Sequence, residues 1–284
     1  MRLDLKGTSV LVTGGALGMG RLYAERALRE GAAHVDLWDR DAERLASTAA
    51  ELAASAPGAC VSTTVVDMGD ASAVVAAAEA HLAEHGAPHV VINNAGVVRG
   101  ALFWEHDVER DVVGTMAINA VGPMVLVRTL LPAMLAGGVE RRILNVASAA
   151  ATLSNPRMSV YAASKWALLG WSDSLRLELE RTGNGHLRVT TFCPSYISTG
   201  MFEGAKGPLL TPLMTPEVAV DRAWRAMLAG RAQRLSPWTV GLGKTVRGLL
   251  PLAAWDVVAD KIFKVYGSMD DFRGRAGATP GGAR

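Results

Sequence analysis

Cysteine is nearly absent from the chain. Cys60 and Cys193 are the only two, too far apart in sequence for a metal or redox pair, and both read as inert core thiols. Aromatic residues make up 6%, the formal net charge is only +2, and no run of like charges or basic stripe with interleaved aromatics occurs. These shortages argue against nucleic acid as a partner. No histidine or carboxylate cluster suggests a metal. No uninterrupted apolar run reaches the roughly 18 residues of a membrane span. The opening stretch "MRLDLKGTSVLVTGG" enters a strand pattern at once with no apolar leader, so a cytoplasmic location is expected.

The 284 residues are 50% hydrophobic, enough for one large α/β domain. Short β-branched runs alternate with longer alanine-rich stretches. "TSVLVTG", "HVDLWD", "CVSTTVVD", "HVVINNAG", "RRILNVAS" and "LRVTTFCP" are six strand candidates. Helical patterns over 19–30, 42–54, 108–135 and the stretch carrying "YAASK" lie between them. Near-continuous apolar strands joined by crossover helices imply a parallel sheet covered on both faces. Ligands of such sheets sit at the carboxyl ends of the strands, so the residues after each strand matter most.

After the first strand comes "TGGALGMG", with glycines at 14, 15, 18 and 20. Glycines allow a tight turn and close approach to a phosphate, which the next helix's N-terminus can bind; a plain turn is the other reading. The second strand ends in Asp39, whose carboxylate can accept both ribose hydroxyls of an adenosine and would repel a 2′-phosphate. A helix N-cap is the competing role, open equally to Asp41. Arg40 beside it is an opposing influence, leaving NAD favoured over NADP. Tyr161 and Lys165 stand four apart, and so share a helix face.

Taken in order, "TGGALGMG", "NNAG" at 93–96, Asn119, Ser148, and Tyr161 with Lys165 resemble the short-chain dehydrogenase/reductase family, over roughly residues 5 to 270. The resemblance implies a single-domain, Rossmann-type doubly wound parallel sheet of about seven strands over 1–272. It includes a substrate loop at about 195–215 and a C-terminal helical segment at about 245–266; the stretch 273–284, rich in Gly and small residues, reads as a disordered tail. It implies a nicotinamide dinucleotide held by Gly14, Ala16, Leu17, Gly18 and Met19 in the loop, Asp39 and Arg40 after the second strand, and Asp67 and Met68 after the third. Asn94, Ala95 and Gly96 follow, then Tyr161 and Lys165, and finally Pro194, Ile197, Thr199 and Met201. Asn93 is expected to support the sheet. Many relatives carry Pro-Gly where this chain has Pro194-Ser195.

The chemistry follows from the side chains. A free phenol, with a pKa of about 10, is a poor base at neutral pH. A nearby Lys165 cation and an oxidised nicotinamide are expected to lower that value, so that Tyr161 takes the hydroxyl proton as hydride leaves the same carbon. Ser148 is expected to hold the substrate oxygen. By resemblance, Asn119 serves a water that links the lysine to solvent, and Lys165 also grips the nicotinamide ribose.

The segment "CPSYISTGMFEG" and the C-terminal "LLPLAAWDVVADKIFKVYGSMDDF" more loosely resemble the retinol and hydroxysteroid dehydrogenase branch. A lipophilic secondary alcohol or ketone is the expected substrate: a steroid, retinoid, hydroxy fatty acid or aryl ketone. It would contact Ser148, Ala150, Tyr161, Ser195, Tyr196, Met201 and Phe202, with Leu209, Leu210 and Leu213 adding apolar surface. Trp255, Val258, Ile262 and Val265 at helical spacing read as a stripe packed on the domain or on a sister subunit, in preference to a membrane surface. Helices around 108–135 and 159–181 are expected to form a homodimer or homotetramer contact. A catalytically silent nucleotide-binding regulator is the alternative to an enzyme.

Overall fold

A computed structural model describes residues 2–198, 200–205, 207 and 211–274. Seven strands form one parallel sheet: β1 (Ser9–Thr13), β2 (His34–Asp39), β3 (Cys60–Val65), β4 (Val90–Asn93), β5 (Arg141–Val146), β6 (Leu187–Pro194) and β7 (Gln233–Ser236). Their order is β3-β2-β1-β4-β5-β6-β7, so the chain builds outward from β1 to one edge, then returns and builds to the other. The reversal falls between β1 and β4, where Val10 pairs with Val90 and Leu11 with Val91. That is the switch point at which a crevice opens beyond the strand ends.

Successive strand residues face opposite sides. Val10, Val12, Val35 and Leu37 face a core layer shared with α1 (Gly18–Arg29), α2 (Ala42–Ser55) and α7 (Pro216–Leu228). Leu11, Trp38, Val91 and Ile143 face a second layer shared with α3 (Ala71–His85), α5 (Gly122–Leu135) and α6 (Ser159–Arg181). With both faces covered, the central strands have no solvent side to be polar on, hence their apolar runs. Strand β7, "QRLS", lies at an edge with three of its four residues only half-buried, and the apolar pattern that marks the other six is absent from it. Edge position also explains Cys60, which opens β3 and is exposed; only Cys193 is the expected core thiol.

A short α4 (Gly114–Met116) and α5 are joined through π-helical turns at Val108–Val113 and Ala117–Val121 into one long helical stretch. Among the described residues this stretch, Val108–Gly138, is long and apolar enough in composition to cross a membrane, although no unbroken apolar run marks it. Leu126, Val127, Leu130 and Met134 on it are buried in the core layer described above. Beyond α7, α8 (Trp238–Leu249), α9 (Leu252–Val257) and a π-helical turn at Val258–Ile262 make up the C-terminal helical segment. In it Trp255 and Val265 are buried while Ile262 is 55% exposed, so the expected stripe is only partly covered. The tail expected from Arg273 is tied down at its first two residues, whose backbone N–H groups donate to the Glu203 carbonyl. Residues 275–284 lie outside the described residues.

A buried polar chain locks the centre of the sheet to α6. Asn93 Nδ2 donates to Asn145 Oδ1 at 2.8 Å, and Asn145 Nδ2 donates to Ser172 Oγ at 2.7 Å. Removing Asn145 leaves the buried Asn93 amide nitrogen without its partner and Ser172 Oγ with only its bond to the Leu168 carbonyl. Asn145→Ala should therefore lower unfolding free energy by about 2–4 kcal/mol in a denaturant titration; a loss under about 0.5 kcal/mol would contradict this role.

Candidate active site

Between β1 and α1 the backbone turns through Gly14 and Gly18, both at positive φ. A Cβ on Gly20 would collide with the Gly14 carbonyl, so only glycine allows this turn and helix to approach so closely. Asn94 fastens the turn from β4: its Nδ2 donates to the carbonyls of Thr13 at 3.1 Å and Gly14 at 3.2 Å. Thr13 Oγ1 in return accepts from the N–H groups of Asn94 and Ala95. Helix α1 begins after Leu17, which offers no side-chain cap, so the first N–H groups of the helix have no side-chain oxygen and suit an anion.

A cleft of about 500 Å³ opens above these strand ends. Gly14, Leu17, Gly18 and Met19 line one end, with Asp39, Arg40, Asp67 and Met68 close by. Asn94, Ala95, Gly96, Tyr161, Lys165, Pro194, Ile197 and Met201 line the rest. Of the expected cofactor set, Ala16 is the exception. Its side chain is buried, and its N–H donates to Asp39 Oδ2 at 3.1 Å. Thr199 lies outside the described residues. Trp38, Arg44, Val66, Val97 and Ile118 also line the cleft and had not been expected there. Arg44 could have been foreseen, since it sits on the first turn of the helix after Asp39. Of the apolar ones, Val66 and Val97 are signalled only by their place after strands, and Trp38 within β2 and Ile118 in the turn at Ala117–Val121 carry no such signal.

Asp39 and Asp41 divide the two roles open to either. Asp41 caps α2 by accepting from the Arg44 N–H at 3.1 Å, whereas Asp39 faces the cleft and accepts from the Asp41 N–H through Oδ1. Arg40 lies 4.0 Å from Asp67, and Arg44 lies 3.3 Å from Asp41.

At the other end, β5 leads to Ser148, and α6 carries Tyr161 and Lys165 back beneath it. All three side chains are buried. Ser148 Oγ accepts from the Ala150 N–H at 3.1 Å. Lys165 Nζ donates to the Val146 carbonyl at 2.9 Å and stands 5.8 Å from the centroid of the Tyr161 ring. The family model for short chain dehydrogenase matches residues 8–207. The chain belongs to the short-chain dehydrogenase/reductase family. It is 31% identical to epidermal retinol dehydrogenase 2 of Mus musculus over 277 residues, 96% of this chain and 88% of that protein. It is 30% identical to estradiol 17-beta-dehydrogenase 11 of Pongo abelii over 276 residues, 97% and 90% of the two chains. A short-chain dehydrogenase/reductase from Burkholderia phymatum, solved in complex with NAD, superposes with a TM-score of 0.77 at 26% identity, covering 87% of this chain and 95% of that one.

In this short-chain dehydrogenase/reductase the expected tuning of Tyr161 is not what the protein atoms alone produce. Burial pushes the phenol's pKa upward, a hydrogen bond to Ser148 pulls it back, and the nearby Tyr196 and Cys193 push it further up. Lys165 is not among the groups that move this phenol, and burial lowers the lysine's own pKa to about 8. The side chain of Asn119, the residue expected to serve a water, is bonded to protein groups, Oδ1 accepting from the Val97 N–H at 2.8 Å and Nδ2 donating to the Val97 carbonyl and to Ser164 Oγ. The π-helical turn at Ala117–Val121 carries it into this position.

A second, smaller cavity of about 90 Å³ adjoins the cleft and shares Ser148, Ser195 and Phe202 with it. Ala150 and Tyr196 line it as expected, whereas Tyr161 and Met201 face the cleft instead. The Phe202 ring stands edge-on to Tyr161 at 6.0 Å and to Tyr196 at 5.3 Å, separating the two spaces. Leu213 is 54% exposed, and Leu209 and Leu210 lie outside the described residues, so the described apolar wall is not built by those leucines. Leu153, Met158, Val240, Trp255, Phe263 and Val265 build it instead. Ser195 replaces the commoner glycine without strain, since it is not at positive φ and its N–H donates to the Ser236 carbonyl at 2.8 Å.

Because the folded-state pKa of Lys165 is depressed below the unfolded value of 10.5, the unfolded chain binds the extra proton between about pH 8 and 10.5, and stability contributed by this residue rises with pH across that window. The unfolding free energy of the parent enzyme minus that of Lys165→Met should therefore increase from pH 8 to pH 10.5 in denaturant titrations. A difference that stays flat with pH would refute the burial effect.

Proposed function

We propose that this enzyme moves a hydride between a nicotinamide dinucleotide, NAD in preference to NADP, and a lipophilic secondary alcohol or ketone. The carrying observation is that the polar cleft and the apolar cavity meet at Ser148, beside Tyr161. The residues of the cleft fit the dinucleotide: a glycine turn that a Cβ would block, an uncapped helix N-terminus for phosphate, and a carboxylate at the end of β2 for ribose hydroxyls. When bound, the cofactor supplies the hydride acceptor or donor.

The protein's own groups do the rest. Tyr161 is the proton-transfer group, taking the substrate hydroxyl proton in oxidation and returning it in reduction. Ser148 hydrogen-bonds the substrate oxygen where charge changes during the reaction. Lys165, held by Val146, orients the nicotinamide ribose and lends positive charge to the phenol in its protonated state. Asn119 acts as a positioning residue by fixing the backbone at Val97 against α6. The apolar lining of the small cavity, and the names of relatives that act on retinol and estradiol, support a lipophilic substrate. Exposed Val113 and Val121 on the long helix and Trp166 and Leu177 on α6 support self-association through these helices.

Tyr161→Phe should lower kcat by at least about a hundredfold while leaving the Kd for NADH within about twofold, since it removes the proton-transfer group and little else. A loss no greater than about tenfold would remove Tyr161 from this role.

The preference for NAD rests on Asp39, which faces the cleft, while Arg40 and Arg44 lean toward Asp67 and Asp41. A 2′-phosphate would meet unpaired like charge there. The parent enzyme should show higher kcat/KM with NAD than with NADP, and Asp39→Ala should shift the ratio toward NADP by releasing that repulsion while Arg40 remains. Equal or better kcat/KM with NADP in the parent enzyme would overturn this assignment.

A further inference from the structure

The stretch 265–274, beyond the π-helical turn at Val258–Ile262, lies against separate parts of the chain that border the site. Phe272 packs so closely on Gly100, downstream of β4, that a Cβ there would stand 2.5 Å from its ring. The backbone N–H groups of Arg273 and Gly274 donate to the carbonyl of Glu203, the neighbour of Phe202. Met269 is buried in one apolar cluster with Met158, Tyr161 and Tyr196. Ser268, 3% exposed, makes the polar contact. Its Oγ accepts from Asn155 Nδ2 at 2.9 Å and is hydrogen-bonded to Tyr196 Oη at 2.9 Å, where either hydroxyl can donate. Asn155 Nδ2 also donates to Tyr196 Oη at 3.3 Å, so the three side chains close a triangle.

A tyrosine side chain turns about its side-chain bonds unless its far end is held, and a bond to the hydroxyl removes that freedom. Tyr196 lines the small cavity and stands edge-on to the Phe202 ring at 5.3 Å; that ring stands 6.0 Å from the Tyr161 ring. Contact therefore runs from Ser268 through Tyr196 and Phe202 to the phenol at the reacting end. We propose that Ser268 is a positioning residue for the substrate: with Asn155 it fixes the Tyr196 hydroxyl, so that the Tyr196 and Phe202 rings form a rigid wall for the alcohol's apolar body while its carbinol meets Tyr161. This rests on the hydride-transfer reading of the adjoining cleft, and it makes the stretch 265–274 part of the substrate site. A wall ordered in advance imposes no ordering cost when the substrate binds, whereas a loose one does. The cost of losing the triangle falls on the alcohol, because Asn155, Tyr196 and Ser268 do not line the cofactor cleft.

The test uses 4-phenylcyclohexanol, a lipophilic secondary alcohol. Its Kd for the enzyme saturated with NADH is measured by calorimetry, where no turnover intervenes, and its oxidation with NAD is followed in parallel by absorbance. Ser268→Ala should raise that Kd, and KM in oxidation, about five- to tenfold, as expected for the loss of a buried hydrogen bond, while kcat stays within about threefold and the Kd for NADH within about twofold. Ser268→Thr keeps the hydroxyl and should stay within about twofold of the parent enzyme. Tyr196→Phe keeps the ring, removes the other end of the same bond and should match Ser268→Ala. The two substitutions combined should cost no more than about twofold beyond either alone, because each removes the same interaction. Tyr196→Phe carries the test where Ser268→Ala does not fold. No binding of the alcohol by the parent enzyme, alcohol affinity unchanged in Ser268→Ala or Tyr196→Phe, affinity for NADH falling in parallel, or effects of the two that multiply overturns the proposal. Weakened binding in these variants without oxidation by the parent enzyme supports the positioning role and counts against hydride transfer, so the two readings fail separately.

Discussion

The buried ammonium of Lys165 is the interaction on which the site depends. An ammonium with 5% of its surface exposed must be hydrogen-bonded, and it donates to the carbonyl of Val146 at the end of β5. That bond joins α6 to the strand that delivers Ser148 two residues later. It therefore brings the phenol, the hydroxyl and the open end of the sheet together. The Asn93–Asn145–Ser172 chain holds the same helix against the same strands one layer below. Burial also sets a cost, since it depresses the lysine and raises the tyrosine in the protein alone. Tyr161, the proposed proton-transfer group, is thus held in an environment that opposes its ionisation, and a bound nicotinamide's positive charge would act on a phenol that the protein keeps neutral.

The parallel sheet makes this arrangement possible at a distance in sequence. Because β1, β4, β5 and β6 all end on one side, the glycine turn, Asn94, Ser148 and Pro194 meet there although long helices separate them. The fastening of the turn by Asn94 and Thr13 shows how the fold serves the cleft. Residues whose side chains never need to touch a ligand fix the backbone that does.

Much of this was legible in the chain because the signals were local. The apolar runs of six strands, the glycine spacing, and the four-residue step from Tyr161 to Lys165 each depend on neighbours in sequence. What escaped depended on tertiary context. Edge strand β7 has a polar "QRLS" sequence because only part of it is covered. Cys60 looks like a core thiol until its strand proves to be the other edge. Ala16 occupies the glycine turn yet spends its N–H on Asp39, and Arg44 reaches the cleft from a helix whose orientation no short motif encodes. The wall of the small cavity was the largest gap. Val240, Trp255, Phe263 and Val265 of it come from α8, α9 and the segment beyond, where an apolar stripe looks the same whether it packs on its own core or on a ligand. The rise in the Tyr161 pKa was hidden for a related reason, since the spacing to Lys165 is visible in sequence while burial is not.

The central claim is that the cleft and the apolar cavity present a cofactor and an alcohol to each other at Ser148 and Tyr161. The most direct measurement uses a lipophilic secondary alcohol deuterated at its carbinol carbon, incubated with the enzyme and NAD, followed by mass spectrometry of the reduced cofactor. The account predicts one deuterium per reduced nicotinamide, carried over without exchange with water. Reduced cofactor carrying only solvent hydrogen, or no reduced cofactor with any lipophilic alcohol offered, would contradict it.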